Sequence, residues 1–312
     1  MTINDFILKW NDIQPVIGDY KKVDETHILD IYLGKGTNSL KELLIISKTE
    51  PVICKSSRAI IIEKGRRDLD GQWATRLLLQ LLDEDSVFIN LCYDLIESSR
   101  KATTDIEALS MFFFRFQKWQ KLMEKGINIL SEEVVRGLIG EIIYMKNYLI
   151  KDLKWDDVIS AWLGTEGADK DFVFHETWVE VKSIRPGKNF VTISSLEQLS
   201  SDKVGTLAIV EIDNTSSSDV NGFTLVGIID EVKNLLYNNL NSLNKFESKL
   251  IEMGFIENSE YHEKYYVFNQ CNQYAVNENF PKIVKGSLPN GILNARYDIS
   301  LATISAFEIY KV

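Results

Sequence analysis

The sequence predicts an α+β protein: a mixed β-sheet core flanked by helices, preceded by an N-terminal α+β elaboration. Three observations predict it. A helix over residues 131–149 carries Val135, Leu138, Ile139, Ile142, Met145 and Leu149 at the i, i+3, i+4, i+7 spacing of a core-facing stripe. Two short runs, 171–174 and 178–182, are separated only by His175, Glu176 and Thr177, which reads as a β-hairpin. Beyond them, strand-like and helical patterns alternate to the C-terminus.

In order along the chain, residues 1–125 form the N-terminal α+β region. A first helix is expected over 5–20, then strands over 28–33, 40–47 and 59–63. The run 73–82 fits a strand or a helix, because periodicity does not separate short apolar runs. Residues 65–71 read as a polar turn carrying Arg66 and Arg67. Amphipathic helices follow at 85–100 and 105–124. The second holds Phe112, Phe113, Phe114, Phe116 and Trp119, read as core.

Residues 126–128 (Gly-Ile-Asn) open the second region, 126–312. After helix 131–149 come residues 155–161, a loop at 164–167 and the hairpin. A third strand is expected at 190–194, a short helix at 196–199 and a fourth strand at 206–212. A polar loop (214–219), a strand (223–229) and a long helix (231–253) follow, then strands at 265–269 and 295–301. No internal repeat or low-complexity linker is visible.

Composition narrows the class. At 312 residues, with 45% hydrophobic and 26% charged residues, the chain reads as an ordinary globular protein able to bury one large core or two moderate ones. No apolar run approaches the ~18 residues of a membrane span. The N-terminus lacks the basic start and apolar stretch of a signal peptide, so a cytoplasmic location is expected. Cys54, Cys92 and Cys271 are far apart and read as reduced core thiols. His27, His175 and His262 are isolated in sequence, giving no pattern for a zinc site or a Ser/His/Asp triad.

Net charge is −10, unevenly spread. Residues 1–130 carry 18 Lys+Arg against 19 Asp+Glu, and residues 131–312 carry 17 against 26, so the second part holds −9 of the total. Nucleic-acid binding draws on basic patches that release counterions, so this balance argues against a free-standing DNA binder. A nuclease with a local groove remains compatible with it.

The second region also carries the chemistry. Strand side chains alternate faces, so Trp178, Glu180 and Lys182 share one face and Val179 and Val181 the other. A carboxylate and an ammonium on an otherwise apolar strand are costly to bury without a purpose. Asp171 opens the preceding strand. Asp169 would share its face in an extended chain, so either aspartate fits as the second carboxylate. On helix 131–149, Glu141 falls at the edge of the apolar stripe, whereas Glu132 and Glu133 lie outside it.

Two carboxylates and an ammonium at one point can hold a hard divalent cation through oxygen. Without one, Asp171 and Glu180 would repel by about 4 kcal/mol at about 4 Å and an effective dielectric of about 20, partly relieved by Lys182. The bland alternative is an exposed ion pair on an edge strand, which contributes little. Arg185 and Lys188 form with Lys182 a basic cluster that reads either as a phosphate contact or as a solvated loop.

The order of helix with Glu141, strand with Asp171, and strand with Glu180-x-Lys182 resembles the PD-(D/E)XK nuclease superfamily. More narrowly, it resembles the prokaryotic group described as PD-(D/E)XK motif proteins. The likeness rests on Gly137-Leu-Ile-Gly-Glu141, Ala161-Trp-Leu-Gly164, Asp171-Phe172, Glu180-Val-Lys-Ser183, Ile193-Ser-Ser195 with Gln198-Leu199, Phe280-Pro281, Leu288-Pro-Asn-Gly-Ile292 and Arg296-Tyr297. Lys170 stands where the motif's name has proline. Asp202, four residues after Gln198, stands where some relatives carry tyrosine.

The resemblance implies a restriction-endonuclease-like fold and a metal-dependent endonuclease hydrolysing DNA phosphodiesters. It implies Mg2+, with Mn2+ as a substitute, held by Asp171, Glu180 and the carbonyl of Val181. Lys182 would orient the attacking water, Glu141 would reach the metal through water or fix Lys182, and Gln198 would position water or phosphate. The implied setting is restriction or phage defence, with DNA and protein partners such as an ATPase or methyltransferase. The alternatives are a catalytically silent scaffold of that fold and a paired-carboxylate glycoside hydrolase. Lys182 beside Glu180 counts against the latter.

Overall fold

Thr2 starts the first helix, α1 (Ile3–Asn11), with a capping box: its hydroxyl accepts from Asp5 N–H, and the Asp5 carboxylate accepts from Thr2 N–H. The helix stops at Asn11 instead of reaching Tyr20. Pro15 disfavours helical backbone before it, Gly18 takes a φ of 85°, and Tyr20 opens β1 (Tyr20–Lys22). This computed structural model describes residues 2–16, 18–36, 38–80, 85–125, 130–164, 169–257 and 260–309. The chain divides into two units, Met1–Ile127 and Asn128–Val312.

In the first unit, β1, β2 (Asp30–Lys35), β3 (Lys41–Ser47), β4 (Ile60–Arg66) and β5 (Trp73–Leu79) make an antiparallel sheet in the order β1-β2-β3-β5-β4. The ambiguous run 73–82 is a strand as far as Leu79. Its buried residues Thr75, Leu77 and Leu79 recur with period two, and residues 81 and 82 lie outside the described residues. Gly65 and Arg66 belong to β4, so the polar turn is shorter than predicted.

Helices α2 (Asp85–Ser99) and α3 (Asp105–Lys125) follow. Phe112, Phe113, Phe116 and Trp119 are buried as expected, but Phe114 is 57% exposed. Successive helical residues turn by about 100°, so three in a row cannot all face one core.

In the second unit, Ser131 caps α4 (Glu132–Asn147) by accepting from Val134 N–H. The stripe from Val135 to Met145 is buried, while Leu149 falls in a separate 3₁₀ turn, Leu149–Lys151. Residues 126–128 and 165–167, read as connecting segments, lie outside the described residues. After α5 (Trp155–Ala161) come β6 (Phe172–Val173) and β7 (Trp178–Ile184), paired antiparallel as Phe172 with Val179 and Val173 with Trp178. The predicted hairpin is therefore present, though shorter on its first arm.

The main elements that follow are β8 (Phe190–Ile193), β9 (Gly205–Thr215), β10 (Phe223–Thr224), α6 (Leu225–Leu235), α7 (Leu240–Glu252), β11 (Tyr265–Val276) and β12 (Tyr297–Ser300), with short helices at Glu260–Glu263 and Leu301–Ile304. The main sheet runs β10-β11-β9-β7-β6, with β7 and β9 parallel and the other neighbours antiparallel. This is the mixed sheet predicted.

Several expectations change in detail. The run 190–194 leaves the main sheet and pairs with β12. The short helix at 196–199 is a 3₁₀ turn, Leu196–Gln198. The strand expected over 223–229 ends at Thr224, whose hydroxyl accepts from Gly227 N–H and starts α6. Its apolar residues Leu225, Val226, Ile228, Ile229 and Val232 are buried on a helix, not a strand. The long helix 231–253 is two helices, because Asn239 caps α7 by accepting from Ser242 N–H.

The two faces of the sheet are covered differently. One core joins α4–α7 to Val179, Val181, Ala208, Val210 and Ile212. The other packs Trp178, Ile184, Leu207 and Ile209 against β8, β12 and the C-terminal segment. A Cβ on Gly140 would stand 2.0 Å from Ser183 Oγ and 3.4 Å from Ser183 Cβ, so α4 and β7 approach closely at this glycine. Cys92 is buried and Cys54 and Cys271 are partly so, all three as free thiols. Among the described residues no helix is long and apolar enough to cross a membrane.

Candidate active site

β6 covers β7 only as far as Val179, which leaves the next stretch of β7 open on that edge. Asp171, the residue before β6, fills the gap: its Oδ2 accepts from Val181 N–H at 2.7 Å. The N–H and C=O of one extended residue point to the same edge, so the Val181 carbonyl also faces the Asp171 side. Leu163 N–H donates to the Asp171 carbonyl at 2.7 Å, which ties Asp171 to the segment after α5.

Glu180 and Lys182 share a face of β7, as alternation requires, with Lys182 Nζ 2.8 Å from Glu180 Oε1. Glu180 is 2% exposed, which rules out the surface ion pair of the bland reading. Its Oε2 is buried with no hydrogen-bond partner. Leaving such an oxygen dry costs free energy, so it marks a place for a further donor or a cation.

Glu141 enters from α4, on the opposite face of the sheet. Its Oε2 accepts from the Trp162 indole N–H at 2.6 Å. A Cβ on Gly164 would stand 2.9 Å from Glu141 Oε2 and 3.5 Å from Asp171 Oδ1. Two carboxylates thus border one small space that the glycine keeps clear. The acids run around the sheet edge: Glu141 from the helix side, Asp171 at the edge itself, and Glu180 with Lys182 from the other side.

Their titration reflects that crowding. Burial, reinforced by Asp171, pushes the Glu180 carboxyl up to about 8, against the pull of Lys182. Burial raises Glu141 well above the ordinary carboxylate range, with Asp171 and Glu180 adding to it and the Trp162 N–H opposing it. Burial also raises Asp171, opposed by the Val181 N–H and by Lys182. Burial thus favours a proton on the Glu180 carboxyl, which a cation arriving beside its Oε2 would displace.

The oxygens suit a hard cation: carboxylates of Asp171 and Glu180, the latter with an orphaned atom, and the Val181 carbonyl on the same edge. Among the described residues no three His, Cys, Asp or Glu side chains form a metal cage by themselves. A cation here would keep waters or phosphate oxygens among its ligands, as Mg2+ prefers.

The other expected residues sit as follows. Asp169 is exposed, so Asp171 is the aspartate that meets the hairpin. Gln198 lies in the 3₁₀ turn, and its Oε1 accepts from Ser194 N–H at 2.8 Å. Arg185 and Lys188 are exposed, with Lys188 over the Phe190 ring at 4.7 Å. His175 is exposed and pairs with Glu176. Sequence reasoning assigned no part to Trp162, Gly164 or Lys170. Trp162 and Gly164 lie in a stretch that carried the resemblance, but nothing in their spacing points at Glu141.

The mixed sheet, flanking helices and edge-on group of Asp171, Glu180 and Lys182 define a protein of the PD-(D/E)XK superfamily. Residues 13–302 match the family described as "Putative PD-(D/E)XK family member (DUF4420)", and the chain belongs to that family. No curated protein and no solved structure matches the chain.

Proposed function

We propose that this protein is a divalent-cation-dependent endonuclease that hydrolyses DNA phosphodiesters to 5′-phosphate and 3′-hydroxyl ends. The observation that carries the reading is the buried, unpartnered Oε2 of Glu180 beside Asp171 and Lys182. Asp171, Glu180 and the Val181 carbonyl would hold Mg2+, with Mn2+ as a substitute. When bound, the cation would neutralise charge building on the phosphoryl oxygens and acidify a water.

The chain's own groups supply the rest. Lys182, mostly buried and beside Glu180, presents an ammonium to the scissile phosphate and to the incoming water. Glu141, fixed by Trp162, orients water on the far side of Asp171. Gln198, whose carbonyl is engaged by Ser194 N–H, has its amide NH2 as the group to meet phosphate or water. Belonging to a PD-(D/E)XK family supports nuclease chemistry. A restriction or phage-defence role with partner subunits is part of the proposal. The −9 balance over residues 131–312 supports DNA capture that relies on partners.

Nicking and linearisation of supercoiled plasmid with Mg2+, Mn2+ or EDTA tests the reading. Cleavage by the wild type that EDTA abolishes is expected, with Lys182→Ala slower by about 100-fold or more. Equal residual cleavage by both proteins would identify a contaminant and leave a catalytically silent scaffold as the answer.

A further inference from the structure

Lys170 occupies a position that the chemistry above does not use. Its Nζ donates to the Glu197 carbonyl at 2.5 Å and to the Ser200 carbonyl at 2.8 Å. It also stands 4.9 Å from the centre of the Trp178 ring. The two carbonyls bracket Gln198, and the peptide bond that follows Lys170 leads directly to Asp171.

We propose that Lys170 is a positioning residue: a clamp that sets the Gln198 turn against Asp171 and the hairpin. The inference rests on the nuclease reading for its catalytic consequence, but the clamp itself stands on geometry. Apart from Lys170 the turn has one long-range polar tether, Leu196 N–H donating to Asn294 Oδ1 at 3.3 Å at its first residue. Its other bonds are short-range, from Leu199 N–H and Ser200 N–H to the Leu196 carbonyl. Leu196 and Leu199 anchor it in apolar surroundings, which fixes depth more than rotation. A charged donor shared between two carbonyls adds direction, because hydrogen bonds to an ammonium are short and strong.

Trp178 completes the clamp from the hairpin side. Its ring is buried, its indole N–H donates to the Lys203 carbonyl at 3.0 Å, and its backbone pairs with Val173 in β6. The ammonium over its face therefore ties three segments together: the residue before Asp171, the first residue of β7 and the turn with Gln198. Gln198 in turn accepts from Ser194 N–H, so the protection of that one amide reports where the turn sits.

The test uses the full chain and two independent readouts. Amide exchange is followed by mass spectrometry on fragments covering 190–200 and 178–184. Plasmid cleavage is followed at saturating Mg2+. In Lys170→Met, which keeps an unbranched chain over Trp178, exchange around Ser194 should accelerate about tenfold or more while 178–184 stays protected.

In the same variant kcat should fall about 100-fold with the Mg2+ midpoint unchanged within about twofold. Lys170→Arg, which can still donate to both carbonyls, should recover most of each. Unchanged protection around Ser194 overturns the clamp, as does equal loss of protection across 178–184, which would mean a purely structural role. If Lys170→Met does not fold, Lys170→Gln is measured in its place by the same criteria. Absence of cleavage by the wild type would defeat the nuclease reading alone, since the exchange arm still decides the clamp.

Discussion

Trp162 donates its indole N–H to Glu141 Oε2 across 2.6 Å, in a buried setting that α4 and the segment after α5 build together. The bond holds in place a carboxylate whose surroundings favour its neutral form, and the bonded oxygen is the one beside Gly164. Trp162, stacked on Phe246 at 5.6 Å, is fully buried, so Trp162→Phe keeps an aromatic ring there while removing the donor and part of the indole volume. The expected cost is about 1–3 kcal/mol in denaturant unfolding. Cation affinity should fall about 10- to 100-fold, as it does when the groups orienting a metal site are removed. Unaltered Mn2+ affinity in a calorimetric titration would show that Glu141 takes no part in holding the ion.

Glu180 makes stability depend on pH. Its folded-state value near 8 exceeds the ordinary 4.5, so between those limits the folded chain keeps a proton that the unfolded chain has released. Unfolding free energy therefore falls as pH rises through this window. Glu141 and Asp171 act in the same direction. Buried His27, whose imidazole is held below its usual value by burial, opposes them at the acid end. Comparing melting temperatures of wild type and Glu180→Gln from pH 5 to about 8.5 isolates the carboxyl. The variant's slope should be flatter, and parallel curves would refute the titration.

The same proton links cation binding to pH. Below about pH 8 the cation must displace it, so Mg2+ should raise the melting temperature more at pH 8 than at pH 6. At about 100 times the dissociation constant the gain is about 2.7 kcal/mol. Proton release measured in two buffers of different ionisation heat checks the coupling directly. Asp171→Asn should abolish the cation-induced shift at either pH.

Gly164 tests the shape of the site without altering a charge. A methyl group there would press on Glu141 Oε2 at 2.9 Å and come into ordinary contact with Asp171 Oδ1 at 3.5 Å. Gly164→Ala should therefore fold and yet bind Mn2+ about 10- to 100-fold more weakly. Wild-type affinity would mean that neither Asp171 Oδ1 nor the water-orienting Glu141 carboxyl contributes to holding the ion.

Local pattern alone determined a good deal about this protein. The alternation of β7 assigned Glu180 and Lys182 to one face, the stripe on α4 turned Glu141 inward, and a three-residue gap announced the hairpin. These depend on backbone periods of 2 and 3.6 that neighbouring residues already carry. Tertiary packing decided the rest. It exposed Asp169 and lodged Asp171 on the Val181 N–H, gave Glu141 its indole partner and sent β8 to β12. It also made a helix of the run after Thr224, where a capping hydroxyl and a core on one side outweighed strand-like residues. Burial and contact between segments far apart in sequence depend on which surfaces meet, and no period along a single chain encodes that meeting.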